Sequence, residues 1–493
     1  MDAITFTMDV ITNDKGNQKL LFGGYGYNDK TILKCGNARW RCSQKGTFKC
    51  SSALTTDPSI SNVVSSTDHT HEPDFNWTKG QLLRHNIKSN AKSSRGRPNQ
   101  IVTSVLSKAG DVEAAISAGT KDSLRQVVRR VQRGDRPKNP PSIEQIPVPF
   151  PNEYAEYLIY DNEDLSNRII IFASDAGLEL LGSSEKWFMD GTYFTCPSQF
   201  EQLFIIRAPL GDTCATAVYA YLPSKTKDVY KEMLESIVSA CKDRNIILDP
   251  VQVVADYEIG IHNAVLDVFE NEASISGCFY HLTQSTWRRV QNEGLQSLYN
   301  ADQEVREFCG KIDGLAFLPV NDVKEGIKVL YDEAPEHLRC LVEYFDTNYV
   351  NGGFKVSQKR NDPLRARLRR IPPKFAPHVW NVHCTTLEGG DRTNNQCESF
   401  NNAFKQLVGC SNPSLWLVSE CIWEDIRMVS IDIVRASRGV LPKKRIKKGT
   451  MIHQRQVKRL CEKYNNKEKN LQQFLKAIGK SIRIAKKKSI SKK

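Results

Sequence analysis

The first 74 residues alternate between short apolar segments and turn-forming residues. The segments AITFTMDVI, KLLFGGYGYNDKTIL and RWRCSQKGTFKC are separated by breaks rich in Gly, Asn and Asp. Short alternating segments between such residues are typical of antiparallel strands joined by tight turns. The pattern therefore predicts a small β-rich module over residues 1–74.

Residues 75–150 have a helical pattern instead. Leu124, Val127, Val128 and Val131 recur at helical spacing among several arginines, and a proline-rich stretch ends the segment near residue 140. Apolar positions three and four residues apart predict an amphipathic helix. Its arginines fit either a solvated helix face or contact with DNA phosphates. We expect a helical, basic linker here.

The region 151–300 alternates between strand patterns and helix patterns. KWFMDGTYFT, QLFIIRAPL and TCATAVYAYLP follow one another after short turns, which predicts three antiparallel strands. A helix with an apolar stripe at Val229, Met233, Ile237 and Cys241 leads to the strand PVQVVADYE, after which helix, strand and helix follow. A helix that crosses between strands implies parallel pairing. The sequence thus predicts an α/β fold with a mixed sheet.

The remainder of the chain predicts mainly helix over 301–390, with proline breaks, and further helix to about residue 438. Residues 440–493 contain 19 Lys or Arg and two Glu, a local net charge of +17. The rest has 50 basic and 54 acidic residues, within a total charge of +13. We therefore expect a near-neutral body and a basic C-terminal tail, 431–493, that meets polyanions or the nuclear import machinery, or is merely solvated.

Composition excludes several classes of protein. The chain has 493 residues, 40 % of them hydrophobic and 25 % charged, which excludes a wholly disordered or fibrous protein and indicates several domains. No segment approaches the roughly 18–20 apolar residues of a membrane span, and the N-terminus lacks a signal-peptide pattern. We expect an intracellular protein with no membrane partner, whose 14 cysteines are thiols or metal ligands rather than disulfides.

Two acidic residues stand on or at the end of otherwise apolar strands: Asp190 after WFM and Asp256 after VQVVA. A carboxylate in such a place is energetically costly unless it is paired or binds a cation. If the two strands are neighbours in the sheet, the two carboxylates come within reach of one divalent ion. Glu398 is the best third ligand, at the edge of a predicted helix, TNNQCESFNNAF, and Glu388 is its nearest competitor. Each also has a simpler interpretation, as a turn former, a helix cap or a surface charge, and paired carboxylates would suit a glycosidase equally well.

A family resemblance distinguishes these alternatives. The ordered segments MDGTYFTCPSQF, VVADYEIGIHNAV, CFYHLTQSTWRRV and NNQCESFNNAF resemble the transposase domain of Mutator-like elements (MULE) over about residues 150–430. The resemblance implies a ribonuclease-H-like fold over 151–430, with a helical insertion at about 285–390. It further implies that Asp190, Asp256 and Glu398 are a catalytic Asp-Asp-Glu triad.

The same family has a Cys-x-x-His motif after its second acid, which Cys278 and His281 match. The two residues are either a core cysteine and a hydrogen-bonded histidine, or have a structural or DNA-positioning role. Two ligands do not make a metal site, so we predict none there.

A second group of candidate ligands lies in the N-terminal module: Cys42, Cys50, His69 and His71. Two thiolates and two imidazoles suit tetrahedral Zn²⁺, and a module this small has a thin core that a structural metal would stabilise. Cys35 is the main competitor for a ligand position. The segments GYGYNDKTIL, ARWRCSQKGTFKC and HTHEPD resemble a FLYWCH-type zinc finger over about residues 6–74, which implies these four residues as ligands.

Together these features predict a DNA transposase of the Mutator-like class. We expect structural Zn²⁺, catalytic Mg²⁺ or Mn²⁺ at the triad, double-stranded DNA (transposon ends and target) as partner, self-association and a nuclear location. The alternative is a domesticated, catalytically silent DNA-binding or transcriptional regulator that retains the same domains.

Overall fold

The computed structural model describes residues 8–12, 16–94, 96–134, 136–270, 272–359, 362–444 and 447–483, with only the backbone described for 356–359 and 362–367. The start of the first predicted strand and the last ten residues of the predicted tail lie outside this set. The chain divides into two compact units, residues 1–138 with 407–410 and residues 139–406 with 411–493.

The first unit begins with a six-stranded antiparallel sheet in which each strand pairs with the next along the chain. The strands are β1 Asp9–Thr12, β2 Gln18–Phe22, β3 Tyr25–Ile32, β4 Ala38–Cys42, β5 Ala53–Thr56 and β6 Val63–Ser66, and a one-turn helix, α1 Lys45–Phe48, joins β4 to β5. Trp40, fully buried, centres a small core with Leu20 and Leu54. The predicted β-rich module is confirmed, and its core is as thin as expected.

Four helices complete the described part of the first unit. They are α2 Phe75–Ser93, α3 Pro98–Lys108, α4 Val112–Ala118 and α5 Lys121–Arg133. Helix α2 begins where Asp74 accepts a hydrogen bond from the Trp77 amide, because an N-cap carboxylate satisfies an otherwise unpaired N–H. Leu124 and Val128 of α5 are buried against α2 and α3, so the predicted apolar stripe is confirmed.

The second unit is built on a seven-stranded mixed sheet with the order β13-β12-β9-β10-β11-β8-β7. Its elements are β7 Leu158–Asp161, β8 Ile170–Ala173, α6 Asp175–Gly182, β9 Lys186–Thr192, β10 Gln202–Leu210, β11 Thr213–Leu222, α7 Lys227–Lys242, β12 Gln252–Ala255, α8 Ile259–Val268, β13 Ser274–Gly277 and α9 Phe279–Asn292. Strands β9, β10 and β11 are antiparallel, whereas β12 is parallel to both β9 and β13. The predicted order of elements and the mixed pairing are confirmed.

Helices cover both faces of this sheet. The stripe of α7 predicted from sequence, Val229 to Cys241, packs with Trp187 and Met189 on one face. On the other face Tyr221 contacts Ser419 of a later helix. Because both faces are covered, β10 and β11 are buried along almost their whole length. Strands in this position need apolar residues on both faces, which explains their nearly continuous apolar sequences.

A helical region follows the sheet and has a core of its own. The remaining elements of the chain are α10 Gln296–Ala301, α11 Gln303–Gly314, α12 Val323–Glu333, α13 Arg339–Phe345, β14 Gly353–Lys359, β15 Asp362–Ile371, α14 Pro377–Trp380, α15 His383–Glu388, α16 Asn395–Val408, α17 Leu415–Ser437, α18 Lys448–Asn465 and α19 Leu471–Ile482, of which α16 and α17 pack on the sheet instead. The antiparallel hairpin of β14 and β15 differs from the mainly helical prediction for 301–390. Alternating basic and apolar residues in LRARLRRI satisfy the two-residue period of a strand, which explains the difference.

The basic C-terminal segment is folded over much of its length, unlike a solvated tail. Val457, Cys461, Phe474, Leu475 and Ile478 of α18 and α19 are fully or almost fully buried. These apolar residues recur at helical spacing among many lysines, so the high charge hid an amphipathic pattern. The predicted domain boundaries at residues 74, 150 and 430 remain predictions. None of the described helices has the length and apolar character needed to cross a membrane.

The contact between α11 and α19 gives a test of this packing. A Cβ added at Gly479 would lie 2.8 Å from the backbone O of Glu307, closer than such atoms approach. We expect Gly479→Ala to lower the free energy of unfolding by about 1–3 kcal/mol in chemical denaturation. Gly449→Ala, in α18 with no atom within 4 Å, is the control and should leave it unchanged or raise it by up to about 1 kcal/mol. Equal effects would contradict the packing described.

Candidate active site and candidate metal centre

Asp190 and Asp256 lie beside each other on neighbouring parallel strands. Asp190 is in β9, and Asp256 directly follows β12. Val254 is paired with Phe188, so two residues further along the same register Asp256 is level with Asp190. The predicted adjacency of the two strands is confirmed.

The Asp190 carboxyl is almost completely buried, with 7 % of the residue exposed. Burial and the nearby Asp256 carboxylate raise the pKa of Asp190 to about 7, although His281 and Asn401 act in the opposite direction. Asn401 donates a 2.7 Å hydrogen bond from Nδ2 to Oδ2 of Asp190. At neutral pH, therefore, a cation or a donor must compensate this group if it is to remain ionised.

Glu398 reaches the same cavity from the first turn of α16, three residues before Asn401. Two contacts fix the start of this helix on the sheet. Asn394 donates from Nδ2 to the backbone O of Met189 over 3.0 Å, and buried Arg207 of β10 donates to the backbone O of Gln396. The Arg207 guanidinium also lies 5.0 Å from the Phe400 ring. Burial raises the pKa of Glu398; His281 acts in the opposite direction, and the Asp256 charge adds to the rise.

The Cys-x-x-His motif, Cys278 and His281, contacts both Asp256 and the segment that leads to Glu398. Nδ1 of His281 lies 2.6 Å from Oδ1 of Asp256, as in an ion pair. Although burial opposes its charge, contact with Asp256 and Cys278 raises the pKa of His281 to about 10. Cys278 is fully buried, and its Sγ accepts a 3.1 Å hydrogen bond from the backbone N–H of Asn394, the residue directly before α16. His281 thus holds the second aspartate, and Cys278 holds the segment that leads to Glu398.

The three carboxylates line one open cavity of about 810 Å³, together with basic and aromatic side chains. The basic residues are Lys225, Arg288, Arg289 and Lys374. Lys225 forms an ion pair with Glu258, and Nη2 of Arg289 lies 2.6 Å from Oε1 of Glu293. The positive charges of Lys225 and Arg289 are therefore compensated in part within the protein. A cavity with clustered carboxylates and a basic rim suits a divalent cation and a phosphate group together.

The donor set at the carboxylates fits Mg²⁺ or Mn²⁺. Among the described residues, Oε1 of Glu398 is buried and has no hydrogen-bond partner, and hard cations take such oxygen ligands. Within the described part of the chain, the N-terminal Cys and His cluster is the only group of three or more ligand side chains close enough to hold one ion, so the three carboxylates are not arranged around a single cation. Two cations about 4 Å apart need ligands spread more widely than one cation does.

In the first unit, Cys42, Cys50, His69 and His71 form that compact cluster. Sγ of Cys50 lies 3.5 Å from Nδ1 of His69, and Sγ of Cys42 lies 3.3 Å from Nε2 of His71. Two thiols and two imidazoles at such separations match the donors of a tetrahedral Zn²⁺ site. Cys35, the competing candidate, is exposed and is not part of the cluster.

The other ring nitrogens of both histidines have partners that favour this assignment. Nε2 of His69 is 2.9 Å from the Tyr27 hydroxyl, and Nδ1 of His71 is 3.1 Å from the Glu72 carbonyl oxygen. The Tyr25 ring stacks on His69 at 3.6 Å. Metal-binding histidines commonly have such partners, which orient the ring and select the nitrogen that binds the ion. His69 would bind through Nδ1 and His71 through Nε2.

The thiol environments of the cluster differ. Burial raises the pKa of Cys42. Burial acts in the same direction on Cys50, but hydrogen bonds from the amides of Thr70 and Ser52 outweigh it and lower the pKa of that thiol. Cys50 is therefore the more readily ionised ligand.

Several residues of the cavity escaped the sequence analysis. Asn401 is uncharged and was not singled out, although it lies in the segment NNQCESFNNAF, about one turn after Glu398. Lys225, Arg288 and Lys374 lie on separate elements that only the fold brings together. Glu388, the competitor of Glu398, is exposed and does not line the cavity.

Comparison with known protein families identifies two regions of the chain. Residues 10–71 match the FLYWCH zinc finger domain, and residues 186–285 match the MULE transposase domain. The first match includes all four cluster residues and supports a structural zinc ion. The second includes Asp190, Asp256, Cys278 and His281 but ends before Glu398. No curated protein matches the chain. Both resemblances are confirmed over these residues: the chain contains a FLYWCH zinc finger domain and a MULE transposase domain.

Proposed function

We propose that the protein is a DNA transposase of the Mutator-like class that cleaves and joins DNA strands with Asp190, Asp256 and Glu398. The observation that supports this most directly is that the three carboxylates line one cavity. Basic side chains line it too, and part of its lining belongs to the segment that matches the transposase domain. An Asp-Asp-Glu triad is the arrangement that the sequence resemblance implies.

A ribonuclease-H-like fold for the second unit belongs to the same proposal. The sheet supports it, because an antiparallel three-strand meander, β9 to β11, continues into the parallel strands β12 and β13. The predominantly helical residues between α9 and α16 separate the second acid from the third in sequence, as the proposed helical insertion would.

Each part of the cavity has a role in this proposal. Bound Mg²⁺ or Mn²⁺ would supply activation of the attacking oxygen and charge stabilisation of the leaving oxygen at phosphorus. Asp190, Asp256 and Glu398 would hold the cations. Asn401 would keep the Asp190 carboxylate in place, and Arg288 and Lys374 would attract the phosphates of the DNA strand.

The zinc finger and the basic segments would hold double-stranded DNA, both transposon ends and target. We also propose a nuclear location, because LPKKRIKKG (441–449) combines the clustered Lys and Arg typical of import signals. Two-ended DNA processing would require self-association. A strand-cleavage assay on terminal-repeat DNA with Mg²⁺ or Mn²⁺ tests the proposal. DNA binding without any cleavage would favour the catalytically silent regulator.

The zinc site gives the first prediction of this proposal. Metal analysis of the full-length chain should find one Zn²⁺ per chain, and Cys42→Ser should lose it and expose residues 16–74 to limited proteolysis, because ligand binding and folding are coupled in small zinc modules. Cys35→Ser is the matched control and should retain zinc and protease resistance. Zinc retained in Cys42→Ser would contradict the ligand assignment.

The triad gives a second prediction. Asp190→Asn, Asp256→Asn and Glu398→Gln should each reduce cleavage by more than about 100-fold, since loss of an outer-shell partner alone costs about 10- to 100-fold. DNA affinity measured by fluorescence anisotropy should be largely retained. Glu388→Gln is the matched control and should cleave normally.

Heat stability provides a check on folding in the triad variants. Burial and Asp256 raise the pKa of Asp190 to about 7, above its unfolded value, so ionisation of this carboxyl opposes folding at pH 8. Without Mg²⁺ or Mn²⁺, Asp190→Asn should therefore melt no lower than the wild type. A variant that lost cleavage because it unfolded would instead melt at a lower temperature.

Asn401 gives a third prediction, as a positioning residue. Asn401→Ala removes the hydrogen bond to Asp190 and should weaken Mn²⁺ binding, measured by calorimetry, by about 10- to 100-fold. Asn402→Ala is its control, because Asn402 is adjacent and also lines the cavity but has no hydrogen bond to Asp190 among the described contacts. Equal affinity in both variants would remove Asn401 from the site.

A further inference from the structure

Aromatic side chains on the rim of the carboxylate cavity are unusually exposed. Tyr193 and Tyr280 both line the cavity and are 50 % and 41 % exposed, and Phe194, next to Tyr193, is 42 % exposed. Tyr193 follows β9 three residues after Asp190, and Tyr280 precedes His281. Neither tyrosine belongs to the two core clusters described for the second unit, so packing in those cores does not explain them.

A lysine ammonium group lies over the ring of Tyr193, and another lies over the ring of Phe194. Nζ of Lys225 lies 4.6 Å from the centre of the Tyr193 ring, and Nζ of Lys405 lies 3.6 Å from the centre of the Phe194 ring. Lys225 reaches Tyr193 from the segment before α7, and Lys405 reaches Phe194 from α16. A ring beside a cation presents a stacking surface and a phosphate-binding group together.

This pairing matches the two parts of a nucleotide. A base stacks on an aromatic face, and its phosphate is attracted by the nearby ammonium group, whatever the base. A base inside a duplex has both faces covered by its neighbours, so only an unpaired, unstacked base can use such a surface. The same cavity has the carboxylates proposed to act on a phosphodiester.

We propose that Tyr193 and Tyr280 form a stacking site for unpaired nucleobases of the DNA strand that enters the carboxylate cavity. The inference rests on the proposed function for the identity of the polymer, and adds that the DNA is locally unpaired where it is bound.

Fluorescence of 2-aminopurine tests this site without any cleavage step. The full-length protein, without added Mg²⁺, is mixed with two duplexes of one sequence, with 2-aminopurine in a short single-stranded gap in one and fully paired in the other. We expect the wild type to bind the gapped probe more tightly and to quench its fluorescence, as ring stacking does. Tyr193→Ala and Tyr280→Ala should each lose the quenching and bind this probe about 5- to 100-fold more weakly.

Conservative and distant variants separate stacking from other effects. Tyr193→Phe retains the ring and should retain the quenching. Phe354→Ala removes a 68 % exposed aromatic that does not line the cavity and should also retain it. Quenching that persists in both tyrosine-to-alanine variants, or that is lost equally in Phe354→Ala, would overturn the stacking site.

The outcomes also distinguish this inference from the proposed function. Binding and cleavage with no change in 2-aminopurine fluorescence would overturn stacking and leave the transposase proposal intact. Quenching without any cleavage would support stacking and count against catalysis. A protein that binds neither probe would overturn both.

Discussion

The second unit depends on one electrostatic constraint, the burial of like charges in a single cavity. Asp190 is almost fully buried beside Asp256, and the Asp256 carboxylate makes ionisation of both Asp190 and Glu398 less favourable. The protein compensates this with His281, which is paired with Asp256, and with Asn401, which donates to Asp190. Such an arrangement costs stability in the absence of cations, which is typical of a site organised for binding rather than for folding.

Bringing a third acid to this position requires contacts over a long sequence separation. Glu398 is more than 140 residues beyond Asp256, yet α16 is attached to the sheet at defined points. Asn394 bonds to β9, Arg207 of β10 bonds to the helix backbone, and Cys278 accepts from the Asn394 amide. Arg207 is a buried cation whose donors are largely satisfied by carbonyl and hydroxyl groups, so it fixes the helix without neutralising the carboxylates. The acid is held by polar contacts that a one-residue shift of the helix would break.

How much of this could be predicted from sequence depends on the range of the interactions. The strands β9 and β12 were predicted from their apolar runs, each leading to an acid, and the crossover helix predicted parallel strands without showing which strands pair. The hairpin of β14 and β15 and the helices α18 and α19 were missed, because dense basic residues obscured their apolar periodicity. Asn401 and Arg207 act through single hydrogen bonds to distant elements, which leave no periodic signal. Spacing alone left Cys35 open as a zinc ligand, and its exposure separates it from the cluster.

The zinc cluster and the proposed catalytic site differ in the hardness of their ligands. Thiolates and imidazoles in the first unit suit a borderline-soft ion such as Zn²⁺, whereas the carboxylate oxygens proposed as ligands in the second unit would suit Mg²⁺ or Mn²⁺. The two sites also differ in how closely their ligands would surround the ion. The Cys and His donors lie within 4.8 Å of one another, as in a closed structural site, whereas the carboxylates surround an open cavity of about 810 Å³ that leaves room for a substrate. A compact four-ligand cluster stabilises a small fold, and an open oxygen-rich cavity can exchange ligands during a reaction, so each unit has the metal environment that its proposed role requires.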